Sequence, residues 1–383
     1  MASNAFLRGA LVVLVSGASV PALAGGFSRG TADTDILYED ASVAVRSGVT
    51  YVAPSSRYDT IAGAPAHDSP FSNNYFVPSF AAKIRLYDSF SCAATYAQPF
   101  GASATFGDQA QAADLAATRN ATINSKFLTH EYGATCAGKF AAGRGNAYLI
   151  GGVFLQTFDY DEPTTLGKLH LEDDSAFGYR LGAAYEIPEY AFRAQVLYRS
   201  EVEHKGDGYF AVSDIGAAFF RLPPGFTAPV TGGGSLPKSL EVSLETGIAE
   251  GWLAYGSVKW MDWSVLPQLN YTIAGIGPQQ KNFNFRDGWT IEGGIAHAFT
   301  DRVAGTIGLT WDRGVGTGAD LMSDTWTVST GTQIKAGPGA FRVGAGLSYM
   351  TGTTQSLAKG GSFDATSDGN WAVGVTTSYL VKF

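Results

Sequence analysis

Residues 370–383 carry the strongest structural signal in the chain and read Asn-Trp-Ala-Val-Gly-Val-Thr-Thr-Ser-Tyr-Leu-Val-Lys-Phe. Side chains of a β-strand point alternately to its two faces, so every second residue shares a face. One face then carries Trp371, Val373, Val375, Thr377, Tyr379, Val381 and Phe383. Such an apolar band, with an aromatic residue at each end, suits a tilted transmembrane strand because aromatic rings settle at the two membrane interfaces. The stretch predicts such a strand, with an edge strand of a soluble sandwich as the alternative.

The N-terminal residues predict export from a bacterial cytoplasm. Arg8 precedes an apolar run over residues 9–20, and residues 21–24 supply an A-x-A cleavage site. Together they indicate a signal peptide over residues 1–24. No later stretch approaches the roughly 18 apolar residues that a helix needs to cross a bilayer. Strands must therefore cross the membrane, and a closed barrel lets strands pair all their backbone groups in hydrocarbon.

The same alternation recurs along the rest of the chain. Apolar faces with aromatic ends occur, for example, over residues 286–299, 302–311, 324–335 and 340–351. Short turns alternate with long connections, as in outer-membrane barrels. We expect an all-β fold, a transmembrane antiparallel β-barrel of about 14 strands over residues 48–383, located in the bacterial outer membrane. Residues 25–47 are expected to form an N-terminal plug, or hatch, inside the barrel, with a disordered periplasmic tail as the alternative.

Composition and charge narrow the choice of partners. The chain has 48 Gly, 13% aromatic and 16% charged residues, which fits neither a disordered chain nor a helix-rich soluble domain. Without the signal peptide, 25 of the 26 Lys and Arg residues remain against 34 Asp and Glu, and this acidic balance argues against nucleic acid. We expect a monomer in contact with outer-membrane lipid and, through divalent cations, lipopolysaccharide.

The chain has two cysteines, Cys92 and Cys136. An exported protein can join them in a disulfide. Both fall on the outward faces of their predicted strands, so two unpaired apolar side chains are equally compatible with the pattern.

Two regions are more apolar than a water-filled porin requires. The predicted outer loop 204–238 contains apolar clusters over residues 209–212, 215–220 and 222–226. An exposed cluster of this size must bury against something, either a neighbouring loop or a ligand. Strand 147–158 is apolar on both faces, so part of the barrel interior is expected to be apolar as well.

Short motifs in a defined order accompany the closing aromatic strand. They are Gly26-Phe27, Glu39-Asp40-Ala41-Ser42, Gly48-Val49-Thr50-Tyr51-Val52-Ala53-Pro54, Phe76-Val77-Pro78-Ser79, Pro99-Phe100-Gly101, Tyr198-Arg199-Ser200-Glu201-Val202, Asp262-Trp263-Ser264, Asp287-Gly288-Trp289-Thr290 and Leu347-Ser348-Tyr349-Met350. Together they resemble the FadL group of outer-membrane transporters for long-chain fatty acids, including its TodX branch for aromatic hydrocarbons. Hatches of this family usually carry the sequence Asn-Pro-Ala after the acidic segment. This chain has the acidic segment but not Asn-Pro-Ala, so its hatch is expected to be shortened.

The resemblance implies passive uptake of a hydrophobic molecule, a long-chain fatty acid or a related lipid or hydrocarbon, without a cofactor. It also implies that the ligand lands in a groove between two outer loops, here 159–175 and 204–238, and leaves sideways where the third strand kinks inward. The implied groove residues are Leu166, Leu169, Leu171, Phe210, Ile215, Phe219, Phe220, Leu222 and Phe226. The implied kink residues are Pro99, Phe100 and Gly101, since proline cannot donate a ladder hydrogen bond and glycine tolerates unusual dihedrals.

A fatty acid needs a cationic partner for its carboxylate inside the barrel. The lumen-side candidates are Lys139, Arg180, Arg193 and Arg199. Their alternative role is to pair with the inward glutamates, which are Glu131, Glu186, Glu201, Glu241 and Glu245.

Two other functions stay open, a general diffusion porin and an outer-membrane barrel enzyme. The five histidines form no Ser-His arrangement and no metal-ligand spacing, and G-x-S-x-G is absent. We therefore expect no enzyme activity, no catalytic residues and no metal site.

Overall fold

The structure, a computed structural model, describes residues 26–383, so the predicted signal peptide lies outside the described residues. In chain order the strand segments are β1 (Val43–Pro54), β2 (Thr60–Ile61), β3 (Ala64–Pro65), β4 (Tyr75–Tyr87), β5 (Phe90–Ala97), β6 (Gly101–Thr105), β7 (Asn124–Ala142), β8 (Gly145–Pro163), β9 (Gly167–Ile187), β10 (Phe192–Arg199), β11 (Val202–Val212), β12 (Thr227–Leu236), β13 (Ser239–Ala249), β14 (Trp252–Met261), β15 (Gln268–Ile273), β16 (Gly277–Asn282), β17 (Gly288–Ala298), β18 (Val303–Arg313), β19 (Thr325–Ala336), β20 (Gly339–Gln355) and β21 (Ala365–Lys382).

The helices are short. They are α1 (Asp108–Thr118), α2 (Asp214–Phe220) and four 3-10 turns at Thr34–Tyr38, Pro188–Tyr190, Trp263–Val265 and Leu357–Lys359. Among the described residues, no helix combines the length and the apolar character needed to cross a membrane.

Over residues 43–382 the segments build a closed antiparallel barrel of fourteen strands, which confirms the predicted fold. Five of the strands are divided in two, namely β5 with β6, β10 with β11, β12 with β13, β14 with β15, and β16 with β17. The barrel closes because β1 pairs with β21 from Ala44↔Lys382 to Pro54↔Ala372. The small β2–β3 hairpin pairs with the outer end of β21.

Aromatic side chains mark both ends of the outward face. Trp311 lies opposite Trp326, and Tyr349 lies opposite Trp371, near the outer ends of neighbouring strands. Phe341 and Tyr379 form a matching pair near the other end. Such aromatic rings at the two interfaces are what the predicted membrane strands require.

Several strands run further than the sequence indicated. The predicted loop 159–175 is mostly a β-hairpin, because β8 continues to Pro163 and β9 begins at Gly167. The predicted loop 204–238 likewise contains most of β11, the helix α2 and β12. These extensions keep their backbone groups paired above the membrane and turn apolar side chains inward.

The predicted hatch also differs at its end, since β1 starts at Val43 and leaves residues 26–42 ahead of the barrel wall. Ile36 and Leu37 of the 3-10 turn are buried among inward alanines of the wall, Ala81, Ala93 and Ala137.

Ion pairs fasten this segment to both sides of the seam between the first and last strands. Arg46 on β1 contacts Asp33 and Glu39, each at 2.7 Å. Lys382 at the end of β21 contacts the other oxygen of Glu39 at 2.5 Å. Because breaking a buried ion pair leaves an uncompensated charge, these contacts hold the hatch in one position.

A disulfide joins β5 to β7. Cys92 and Cys136 lie opposite each other in the ladder, with Cα atoms 4.0 Å apart. Both side chains share the outward face with Phe90 and Phe140, which are exposed. Of the two alternatives that the sequence left open, the structure has the disulfide.

Candidate functional site

The third barrel strand bends where β5 ends at Ala97 and β6 begins at Gly101. Both segments pair with β7, through Ala97↔Glu131 and Gly101↔Leu128. Between these pairs the third strand advances four residues while β7 advances three. The extra residue is a β-bulge, which bends the strand that carries it. Pro99 lies in the bulge, where its missing N–H disrupts no ladder bond.

The bend opens the wall between β4 and the third strand. β4 pairs with β5 as far as Phe80↔Tyr96, and the wall closes again through the isolated bridge Ser72↔Ala104. Between these points, residues 75–79 of β4 pair with β1 alone in the described sheet. We call this opening the β4–β5 gap.

The N-terminal segment lies behind the gap. The backbone N–H of Arg29 donates to the carbonyl of Pro99 at 2.8 Å, so the segment follows the bend. Gly30 fits between the two edges of the gap, since a Cβ atom there would lie 3.0 Å from a Val77 methyl carbon and 3.2 Å from the Gln98 carbonyl oxygen. A larger residue at this position would have to displace one edge.

Phe27 is held by four other aromatic rings. Its ring lies edge-on at 5.4 Å from the centroids of Phe127, Phe283 and Phe285, and at 5.9 Å from that of Trp263. Edge-to-face pairs at such distances are favourable beyond the area they bury. This cluster fixes the start of the hatch at the depth of the bend.

A cavity of about 750 Å³ lies in the outer part of the barrel, and we call it the outer cavity. Its apolar lining includes Phe27, Phe127, Phe158, Leu236, Leu266 and Leu269. Its wall also includes Arg29, Tyr75 and Gly101, so it reaches the upper edge of the β4–β5 gap. This volume and lining are typical of a site for an apolar small molecule.

The polar groups at the outer cavity are largely matched with partners. Lys281 forms an ion pair with Glu162, which also accepts a hydrogen bond from the Tyr160 hydroxyl at 2.6 Å. Asp320 accepts the backbone N–H of Met322 at 3.0 Å. Burial raises the pKa of Asp320 to about 6, against the opposite effect of this bond.

A second cavity of about 420 Å³, the inner cavity, lies on the periplasmic side of residues 28 and 29, which line both cavities. Polar residues make up most of its wall, and the charged ones include Arg46, Glu131, Arg180, Arg193, Glu241 and Glu245. Charged and polar side chains of this kind favour an apolar molecule less than aromatic and aliphatic ones do.

The four predicted carboxylate partners all lie beside glutamates. The pairs are Lys139 with Glu186 at 3.5 Å, Arg193 with Glu245 at 2.9 Å, Arg199 with Glu131 at 2.8 Å, and Arg180 with Glu131. Each of the four cations thus forms an ion pair with a glutamate, which is the alternative role that the sequence left open.

The nine predicted groove residues fall into two groups. Seven belong to or pack against one apolar core above the membrane, namely Leu166, Leu169, Leu171, Phe210, Phe220, Leu222 and Phe226. The other two, Ile215 and Phe219, lie on α2 and are 65% and 54% exposed. Within residues 26–383, none of the nine lines the outer cavity.

The residues that line the outer cavity were not among those predicted from the sequence. Phe127 on β7 and Phe158 on β8 occupy positions on its wall, at the outer ends of their strands. The apolar character of both faces of strand 147–158 indicates an apolar barrel interior, but it does not identify the individual residues. Arg29 lies in a segment without periodicity and gave no signal.

Comparisons with known proteins agree with this architecture. The family described as outer membrane protein transport protein (OMPP1/FadL/TodX) matches residues 20–383. The fold is similar to the crystal structure of a FadL homologue from Pseudomonas aeruginosa, with 15% identity, a TM-score of 0.71, and coverage of 91% of this chain and 92% of that chain. The toluene transporter TodX from Pseudomonas putida is similar at 12% identity and a TM-score of 0.62, covering 91% and 92%.

The toluene transporter TbuX from Ralstonia pickettii is also similar, at 12% identity and a TM-score of 0.61, with 90% of each chain covered. No curated protein matches the chain. At such low identities these structures establish the shared fold, and the family match comes from the sequence.

Proposed function

Because this chain belongs to the OMPP1/FadL/TodX family of outer membrane transport proteins, we propose that it moves long-chain fatty acids, or related lipids and hydrocarbons, passively through the barrel wall. As a family member it is a bacterial outer-membrane channel for hydrophobic compounds and not an enzyme. Two of the similar structures are toluene transporters, which supports extending the proposed range to small aromatic hydrocarbons.

The first step of the proposed route is capture at the outer surface. Ile215 and Phe219 expose apolar side chains on α2 above the membrane. Lipopolysaccharide resists apolar solutes, so an exposed apolar face gives such a solute a place to leave water. The seven other groove residues support this face by packing beneath it.

The second step is transfer into the outer cavity. Burial of apolar surface is favourable by about 25 cal/mol per Å², so an apolar molecule moves into the cavity without an energy source. The aromatic and aliphatic part of the wall requires no specific polar match, which suits a range of hydrophobic ligands.

Lateral exit is the third step, and one observation carries it. The outer cavity borders the β4–β5 gap, whereas the way towards the periplasm passes the fixed hatch and the charged inner cavity. An apolar molecule that leaves through the gap enters the hydrocarbon of the membrane directly. The same observation disfavours a general diffusion porin, which needs an open aqueous path.

Deletion of Pro99 tests this exit. The deletion removes the extra residue of the bulge, so β5 and β6 can join in one regular strand and close the gap against β4. We expect uptake of radiolabelled oleate into cells to fall at least tenfold, while oleate still binds the purified protein. Pro99→Ala is the matched control, because it keeps the residue count and therefore the bulge.

Normal uptake by the deletion variant, with the regular strand verified in its crystal structure, would contradict lateral exit. Replacing Gly101 is a poor substitute for the deletion, because a Cβ atom there would lie 2.8 Å from the Nε atom of Arg29.

A further inference from the structure

Arg29 is a buried cation at the border of the two cavities. Its side chain is 8% exposed, and its guanidinium carbon lies 3.9 Å from the centre of the Tyr75 ring. Its Nε atom is buried without a hydrogen-bond partner. Among the described residues, no carboxylate forms an ion pair with it.

Two other buried arginines of the barrel interior are neutralised by carboxylates. Arg46 pairs with Asp33 and Glu39, and Arg193 pairs with Glu245. Arg29 differs from them because its neighbours are an aromatic ring, backbone and cavity space. An arginine cannot shed its charge by deprotonation, so its burial without an anion is unfavourable.

We infer that Arg29 receives the anionic head group of an amphipathic ligand, a carboxylate on an apolar tail, at the inner end of the outer cavity. The inference rests on the proposed function and specifies its ligand class. A guanidinium presents parallel N–H groups that match the two oxygens of a carboxylate. The Tyr75 ring covers one face of the guanidinium and Gly101 lies against its Nε atom, so a ligand meets the group at its two Nη atoms.

The position of Arg29 also links head-group binding to the gap. Gly30, the next residue, lies between the edges of the gap, and the Arg29 backbone is bonded to Pro99 in the bulge. A carboxylate bound at Arg29 therefore contacts the segment that lies behind the gap. The apolar tail extends along the lining that contains Phe27 and Phe127.

The test compares three probes of equal chain length, decanoate, methyl decanoate and decyl phosphate, with the full-length mature protein in lipid nanodiscs. Arg29→Gln removes the positive charge. Arg29→Lys keeps the charge but lacks the parallel N–H groups of a guanidinium. The matched control is Arg57→Gln, since Arg57 is exposed. We expect Arg29→Gln to weaken decanoate binding at least tenfold and to change methyl decanoate binding less than twofold. Arg29→Lys should bind decanoate with intermediate affinity.

Three results would overturn the inference. The first is equal weakening for decanoate and its methyl ester, which would give Arg29 a purely structural role. The second is unchanged decanoate affinity in Arg29→Gln. The third is tighter binding of decyl phosphate than of decanoate by the wild type, which would assign the site to a phosphate. If instead the wild type bound neither decanoate nor its ester, the proposed function itself would fail.

Discussion

Asp320 illustrates how burial at the outer cavity changes the pKa of a single side chain. Its carboxyl group lies on the cavity wall, in the connection between β18 and β19 above the membrane. Burial disfavours the ionised form and raises the pKa of this group to about 6. In an unfolded chain an aspartate has a pKa of about 3.9. The packed connection therefore binds the proton more tightly than the unfolded one.

Protonation favours the packed connection, so its stability is greatest below pH about 4 and declines as the pH rises through about 6. A difference of two pKa units sets an upper limit of about 3 kcal/mol. We expect hydrogen exchange of residues 314–323, corrected for intrinsic rates, to show less protection at pH 7.5 than at pH 5. Asp320→Asn should remove most of this difference, and the same pH profile in both proteins would contradict the prediction.

The site residues were predictable only where local chemistry decides their role. Pro99 and Gly101 indicate a break in a strand from the sequence alone. Arg180 and Arg199 were expected to face the lumen, but their shared partner Glu131 depends on which strands curve towards one another. Arg29 meets Tyr75 only because the N-terminal segment enters the barrel, and no periodicity encodes that contact.

At the scale of elements, the third strand pairs with two long strands below its bend and with one long strand above it. Below the bend, β5 is bonded to β4 and β7 and cross-linked to β7 by Cys92–Cys136. Above it, β6 pairs with β7, and its other side is bonded to residues 71–73 through the bridge Ser72↔Ala104 and two backbone hydrogen bonds. Movement of the bend therefore has a fixed lower support.

Removing the disulfide should lower the stability of the barrel but not remove the bend. The bond spans 44 residues of sequence, and the chain-entropy account gives such a cross-link about 4 kcal/mol. We expect the Cys92→Ser/Cys136→Ser variant to unfold in detergent at a lower temperature by circular dichroism. Wild-type protein treated with a reductant while unfolded and then refolded is the matched control. An unchanged unfolding temperature in both samples would show that ladder pairing alone holds the two strands.

The strand elements were predictable within the membrane and less so above it. Leu181 on β9 faces outward and is exposed, whereas Leu169 and Leu171 on the same strand face inward and are buried. Between Gln156↔Ala176 and Phe158↔Asp173, β9 advances three residues and β8 two, so a bulge changes the face. Above the membrane, water replaces lipid outside and the apolar face turns inward. The expected pattern of an apolar, lipid-facing side therefore no longer holds there. For this reason the sequence predicts a loop where the structure has strands.

The whole molecule combines an apolar outer surface with an interior that changes from apolar to charged. The outer cavity and its core lie above, and the ion pairs that hold the hatch lie below. Because β1 and β21 are paired over eleven residues, the wall has no free edge at the seam. Only the β4–β5 gap interrupts the described wall between β1 and β5.

This closure should make the molecule resistant to detergent. A closed barrel offers no strand edge to pair with other chains and keeps its backbone bonds in a micelle. We expect unboiled protein to migrate faster than boiled protein in gel electrophoresis, because the compact barrel survives until it is heated. The same mobility before and after boiling would contradict a closed barrel.

The outward-facing disulfide constrains the order of assembly. Thiol–disulfide exchange proceeds through a thiolate, and a thiolate is disfavoured on a face that is turned towards lipid. We therefore expect the bond to form in the periplasm, before the barrel enters the membrane. The segment from residue 92 to residue 136, with the bend inside it, then reaches the insertion machinery as a covalently closed ring whose ends are already in register. On this basis oxidative folding is expected to precede insertion of this protein.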